Sequence, residues 1–163
     1  MISIVTLCGV WFYQDKVSCP QRGSPLPRCA SGQSSMAQKM SSLRILIVDD
    51  SETTRRILNT IVRSRHWTVC GEAENGWSGV RKFQELKPDL VLLDLAMPDI
   101  NGIEVARMIS GLDHTVPIIM FTVLNLDGLE KAARNAGVCD IVSKGECWNL
   151  LTSIEAAVAR SQR

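Results

Sequence analysis

Five side chains could do chemistry together: the adjacent pair Asp49-Asp50, then Asp94, Thr122 and Lys144. They lie far apart along the chain, yet each stands at the end of a short apolar run. Three carboxylates brought into one crevice repel one another, and they stay ionised at neutral pH only if a cation sits among them or a lysine closes over them. Carboxylate and carbonyl oxygens suit a hard cation that keeps several waters, so Mg²⁺ is the expected ion and Mn²⁺ its substitute. The absence of neighbouring His or Cys disfavours Zn²⁺. With Asp50 and Asp94 on such an ion, one oxygen of Asp94 remains free to attack phosphorus and become an aspartyl phosphate. The ion and the Lys144 ammonium would face the equatorial oxygens where transition-state charge gathers, and the Thr122 hydroxyl could add a hydrogen bond.

For that to happen the chain must carry these residues to one edge, and its patterning does so. An apolar run over residues 43–48 reads as a buried strand stopped by Asp49-Asp50. Ser51 or Asp50 can cap a helix to about Arg65, with Ile57, Leu58, Ile61 and Val62 at helical spacing. A strand over 68–73, a turn at 74–76 and a helix to Leu86, with Val80, Phe83 and Leu86 along it, follow before Lys87-Pro88 stops it. The third strand, 90–94, is apolar without alternation until Asp94, as expected where helices cover both faces of a parallel sheet. A loop over 97–102 leads to a helix to about Ser110, and 116–122 is a fourth strand ending on Thr122. A helix over 127–135 stops at Gly137, 139–143 is a fifth strand before Lys144, and Trp148, Leu151, Ile154 and Val158 stripe a last helix. Such alternation predicts an α/β fold, an open doubly wound five-stranded parallel sheet too short for an eight-stranded barrel, with ligands at the carboxyl ends of its strands.

Composition narrows the functional classes. The chain has 163 residues, 18 Lys+Arg against 17 Asp+Glu, 45% apolar and 21% charged residues. That is room for one ordinary domain with a proper core and no general pull toward nucleic acid or an anionic membrane. No apolar run reaches the roughly 20 residues of a spanning helix. Residues 1–42 differ from the rest: Lys16, Arg22, Arg28 and Lys39 face only Asp15, and Pro20, Pro25 and Pro27 sit among Ser and Gly without helical or strand period. They are expected to be a disordered leader, or the product of a start placed too early, with translation beginning at Met36 or Met40. The first thirteen residues imitate a signal peptide but lack a preceding basic residue and a small-x-small cleavage site. The six cysteines form no C-x-x-C pair, so a reduced cytoplasmic protein is expected, with Cys139 and Cys147 as packed side chains.

Taken in order, Asp49-Asp50, Asp94 followed by Met97-Pro98, Gly102 in the next loop, Thr122 and Lys144 resemble the signature of response-regulator receiver domains in two-component signalling. The likeness covers about residues 43–160 of a domain expected to span 43–163, with the acids, the threonine and the lysine at strand ends and Gly102 in the loop after the third strand. Residues 69–76 and Ser143-Lys144-Gly145, with no proline after the lysine, are similar to receivers that precede helix-turn-helix output domains. The resemblance implies a flavodoxin-like receiver fold with strand order 2-1-3-4-5. It implies that Asp94 accepts phosphate from a histidine kinase and that Asp50, Asp94 and the Ala96 carbonyl ligate Mg²⁺ directly, with Asp49 acting partly through water. Thr122 and Lys144 would then read the phosphoryl group and rearrange the face formed by the fourth helix, fifth strand and fifth helix. No output domain follows within these residues, so the partners expected besides the kinase are a separate effector or a phosphotransfer protein, unless the chain is a piece of a longer regulator. A homodimer is compatible with the sequence, while direct nucleic-acid or membrane binding is not expected.

The sequence departs from that family pattern at several positions. Ile141, three before the lysine, stands where the family has Tyr or Phe, so switching that couples the threonine to an aromatic is not carried over. Val123 replaces the usual small residue after the threonine and is expected to slow phosphorylation or narrow the choice of donor. Ala96 and Leu124 are both apolar, which predicts an atypical phosphoryl lifetime.

Singly, the five residues could be a helix cap, a turn former, a β-branched strand residue and a solvated charge; it is their joint placement that carries the chemistry. Trp67, Trp77 and Trp148 are expected to cover core edges, Trp148 alternatively joining a partner surface, and His66 and His114 have no metal partners. A nucleotide enzyme is disfavoured because the turn after the first strand reads Asp-Asp-Ser-Glu, with no glycine-rich phosphate loop. A phosphatase with an aspartate nucleophile would need a D-x-D pair there. The remaining rival is a binding module of the same fold that works without phosphorylation.

Overall fold

The structure, a computed structural model, describes residues 43–123 and 128–161. The expected leader, Cys8, Cys19, Cys29, Leu124 and the start of the helix placed at Asp127 lie outside those residues. The elements run β1 (Arg44–Val48), α1 (Glu52–Ser64), β2 (Thr68–Ala73), α2 (Gly76–Leu86), β3 (Leu90–Leu93), α3 (Gly102–Leu112), β4 (Ile118–Thr122), α4 (Glu130–Asn135), β5 (Val138–Ser143), a 3₁₀ turn (Lys144–Glu146) and α5 (Asn149–Ser161). All neighbouring strands are parallel and their order is β2-β1-β3-β4-β5. This is the doubly wound, flavodoxin-like architecture expected above, with the strand order that the resemblance supplied.

Two apolar layers sandwich the sheet. On one face Leu46, Val48, Val91, Leu93, Ile118 and Met120 pack with residues of α2, α3 and α4, among them Phe83, Ile109 and Ala133. On the other, Ile45, Ile47, Leu92, Ile119 and Phe121 meet Leu58 and Val62 of α1 and Leu150, Ile154, Ala157 and Val158 of α5. Burial on both faces explains why β3 is apolar at every position and buried throughout. Register slips between Ile45 and Leu46 against β2, and between Ile118 and Ile119 against β5, each leave one extra residue, Cys70 and Cys139, in an edge strand. Among the described residues no helix is long and apolar enough to cross a membrane.

Several packing expectations need correction. Trp67 is buried, but Trp77 and Trp148 are 60% and 68% exposed. Helix α2 buries Gly76 against Ile100 and Val105 and Gly79 against the sheet, where a Cβ would lie 2.8 Å from Val48 Cγ1, so the helix sits too close for a tryptophan to fit beneath it. The 3₁₀ turn after β5 delays α5 until Asn149, which leaves Trp148 ahead of the helix and gives the buried stripe to Leu150, Ile154, Ala157 and Val158. Leu151 is only partly buried, and Ile57 is 49% exposed on the outer side of α1.

Candidate functional site

The parallel ladder itself delivers the acids. The Asp49 N–H donates to the Ala73 carbonyl at 3.0 Å, and the Asp94 N–H donates to the Val48 carbonyl at 2.8 Å, so the first residues past β1 and β3 are held side by side. Asp49 Oδ1 accepts the Ser51 N–H at 2.9 Å, and the Ser51 hydroxyl oxygen accepts the Thr54 N–H at 3.4 Å, which starts α1 at once and turns Asp50 outward to solvent. Thr122, the last residue of β4, is buried and lies in register with Ser143 of β5. One residue on, Lys144 opens the 3₁₀ turn, whose backbone is tied by the Gly145 N–H donating to the Ser143 hydroxyl at 3.2 Å.

Lys144 reaches into the acid cluster. Its Nζ lies 2.7 Å from Asp49 Oδ2 and 3.2 Å from Asp94 Oδ1. Ligand oxygens of Asp49, Asp50 and Asp94 all lie within 4.8 Å of one another. Asp49 and Asp94 are 1% and 4% exposed. The two oxygens that face Lys144 are held by it alone among the described side chains, and each carboxylate oxygen has two lone pairs, so accepting capacity is left over for a cation. Burial pushes the Asp94 carboxyl above the ordinary carboxylate range; the Lys144 ammonium works against that shift and the Asp49 charge reinforces it. Three carboxylates against one ammonium leave a net charge of −2. All-oxygen donors with unfilled lone pairs and that surplus charge fit a hard divalent ion such as Mg²⁺.

The structure thus brings together Asp49, Asp50, Asp94 and Lys144, with Thr122 on the adjoining strand end. Ala96 lies in the exposed loop two residues beyond Asp94. Ile141 is half-buried beside Met120, packed against the layer that holds α3 and α4, and Val123 is 70% exposed immediately after Thr122. Cys139 and Cys147 pack against the α1/α5 layer, and burial raises the Cys139 thiol pKa, consistent with packed, unreactive side chains.

Two residues that the sequence did not single out shape the site. Arg55 of α1 donates through one guanidinium nitrogen to the carbonyls of Asp49 and Asp50, at 2.7 and 3.2 Å. The Asp99 carboxylate accepts the N–H groups of Gly76 and Trp77 at 3.1 and 3.2 Å, fastening the loop after β3 to the start of α2. A cation four residues after a helix cap opposes the helix dipole, and that was the one available signal for Arg55.

Known proteins resemble this chain in sequence and in fold. A family model described as a response regulator receiver domain matches residues 45–154. The chemotaxis protein CheY of Listeria monocytogenes is 36% identical over 102 residues, spanning 63% of this chain and 86% of that protein. A two-component response regulator of the LuxR family from Aurantimonas superposes with a TM-score of 0.69 at 31% identity, covering 72% of this chain and 86% of the other. CheY of Borrelia burgdorferi, solved in a complex with CheX, BeF₃ and Mg²⁺, has a TM-score of 0.64 at 26% identity and covers 69% and 88% of the two chains.

Proposed function

Because the chain belongs to the response-regulator receiver family, we propose that Asp94 is its phosphoacceptor in a two-component phosphorelay, supplied by a histidine kinase. The observation that carries this reading is the Lys144 ammonium held 2.7 and 3.2 Å from two buried carboxylate oxygens beside an exposed third acid. An Asp94 oxygen attacks the phosphorus of a phosphohistidine, the new O–P bond forms as the P–N bond breaks, and the leaving imidazole takes the electron pair and then a proton. Asp49, Asp50, Asp94 and the Ala96 carbonyl would hold Mg²⁺, which supplies positive charge to the phosphoryl oxygens.

Lys144 has a second task once the bond is made. Phosphorylation replaces the charge on the attacking Asp94 oxygen with an O–P bond and places new anionic oxygens nearby, so the ammonium exchanges its Asp94 contact for one to the phosphoryl group, while Thr122 offers its hydroxyl. That exchange biases the adjoining face of α4, β5 and α5, where the exposed Trp148 is available to a separate effector or phosphotransfer protein. The CheX complex of the Borrelia relative, in which a second protein accompanies CheY, supports an effector on a separate chain. The place of action is the cytoplasm, where a kinase's phosphohistidine is made.

Ile141 favours a second reading, since an aliphatic side chain half-buried at the switch position would suit a binding module that never takes phosphate. Incubation with acetyl phosphate and Mg²⁺ followed by intact mass spectrometry separates the two. A phosphoryl adduct on the wild-type chain that is missing from Asp94→Asn supports the receiver, and no adduct on either chain supports the module.

A further inference from the structure

We infer that Arg55 is a positioning residue for the acidic pair, and that Glu72 keeps it in place while cancelling its charge. The inference rests on the reading of the carboxylate cluster as a divalent-ion site. Asp49-Asp50 sits between the end of β1 and the start of α1, and both of its carbonyls accept from a side chain of that helix. Arg55 spans both, with distances of 2.7 Å to the Asp49 carbonyl and 3.2 Å to that of Asp50. Its Nε lies 3.5 Å from Glu72 Oε2 on β2, and the other oxygen of that carboxylate accepts a hydrogen bond from Asn59 Nδ2 at 2.6 Å. The guanidinium is mostly covered, its side chain 15% exposed. The network therefore runs from α1 through β2 to the backbone that aims both acids.

Charge alone would argue against this residue. A cation in the first turns of a helix opposes the dipole, and a cation beside three carboxylates competes with the ion they would bind. Glu72 answers the second objection: Arg55 and Glu72 together are neutral, so the cluster keeps its surplus negative charge while retaining the rigid fork that a guanidinium provides. Groups outside the ligand set that orient the ligands typically alter metal affinity by about 10–100-fold when removed.

The two possible roles of Arg55 predict opposite signs, which makes the test decisive. Mn²⁺ binding is followed by electron paramagnetic resonance of the free ion on the full chain, with no phosphodonor present, for wild type, Arg55→Gln, Arg55→Lys and Glu72→Gln. Melting of the ion-free proteins is recorded alongside, so that affinities are compared only among folded chains. If Arg55 positions the acids, Arg55→Gln weakens Mn²⁺ binding by roughly tenfold although a positive charge has been removed. Arg55→Lys, which keeps the charge and loses the planar fork, is weakened as well. Glu72→Gln weakens binding in the wild-type background and adds little to Arg55→Gln. Binding by Arg55→Gln that equals or exceeds wild type overturns the inference while leaving the ion site intact. A wild-type chain that binds no Mn²⁺ overturns the ion site and the inference with it.

Discussion

Gly102 packs directly on the backbone of Asp94: a Cβ at this position would lie 2.1 Å from the Asp94 carbonyl oxygen and 2.8 Å from Leu95 Cα. The Gly102 N–H also donates to the Leu95 carbonyl at 2.9 Å, closing the loop that follows β3. Neither contact can yield by a side-chain rotation, because both atoms are main chain. Gly102→Ala should therefore cost about 2–4 kcal/mol in urea unfolding, at the upper end of what overpacking and backbone displacement cause. In whatever fraction remains folded, Mn²⁺ affinity should fall because Asp94 has been pushed from its place. A midpoint within error of wild type would show that the loop relaxes freely and that this glycine does not set the position of Asp94.

Lys144→Gln tests the other side of the pocket. Removing the ammonium leaves Asp49 and Asp94 buried and facing one another, so the ion-free protein should lose about 3 kcal/mol of stability, the usual scale for stranding one side of a buried pair. Added Mg²⁺ should return much of that loss, since it replaces the missing positive charge. Ion affinity should be equal to or tighter than wild type, the reverse of the outcome expected for Arg55→Gln. Weaker ion binding by Lys144→Gln would mean that the lysine shapes the cluster instead of opposing the cation's charge.

The β strands and the joint placement of Asp94, Thr122 and Lys144 were legible because two periodicities and a polar stop at each strand end are local signals. The strand order was not, since nothing within β2 says that it lies outside β1; that came with the family resemblance. Spacing alone puts Trp148 in the buried stripe of α5, because it ignores the 3₁₀ turn of Lys144–Glu146 that holds off the helix until Asn149. Trp77 was misplaced for a different reason. Its neighbours Gly76 and Gly79 are the contact surface of α2, and hydrophobicity patterns count glycine as neutral. Arg55 and Glu72 escaped because their pairing joins residues 17 apart through a geometry that no sequence spacing encodes.

Asp99 offers a smaller, separable effect. Its carboxylate accepts the N–H groups of Gly76 and Trp77, in addition to the Asn75 side chain that caps α2 through Ser78. Asp99→Ala should cost about 1 kcal/mol, typical of losing a helix cap, measured by thermal unfolding at neutral pH. Partial desolvation works against ionisation, but the backbone donors outweigh it and hold the Asp99 carboxyl below its ordinary range. The stabilisation is thus present above pH 3.8 and lost as pH falls through the lowered value. An unfolding difference that persisted unchanged to the acid limit would place the effect in side-chain packing and not in the charged cap.

Asp94 should behave in the opposite sense. Burial, helped by the Asp49 charge and resisted by Lys144, raises its folded pKa above 3.8, so the folded state holds this proton more tightly than the unfolded chain does. Ionising Asp94 therefore subtracts stability from the ion-free protein: the penalty is absent below pH 3.8, develops as pH rises through the raised folded value, and is complete above it. Asp94→Asn keeps the shape and removes the charge. In the absence of divalent ion it should melt a few degrees above wild type at neutral pH, equivalent to about 1 kcal/mol, and that advantage should shrink as pH is lowered toward 3.8. Saturating Mg²⁺ should reverse the order by stabilising wild type alone, because ligand binding to the folded state adds stability in proportion to occupancy. If Asp94→Asn were less stable than wild type without the ion at neutral pH, the Lys144 contact would outweigh burial and the strained acid cluster would not exist.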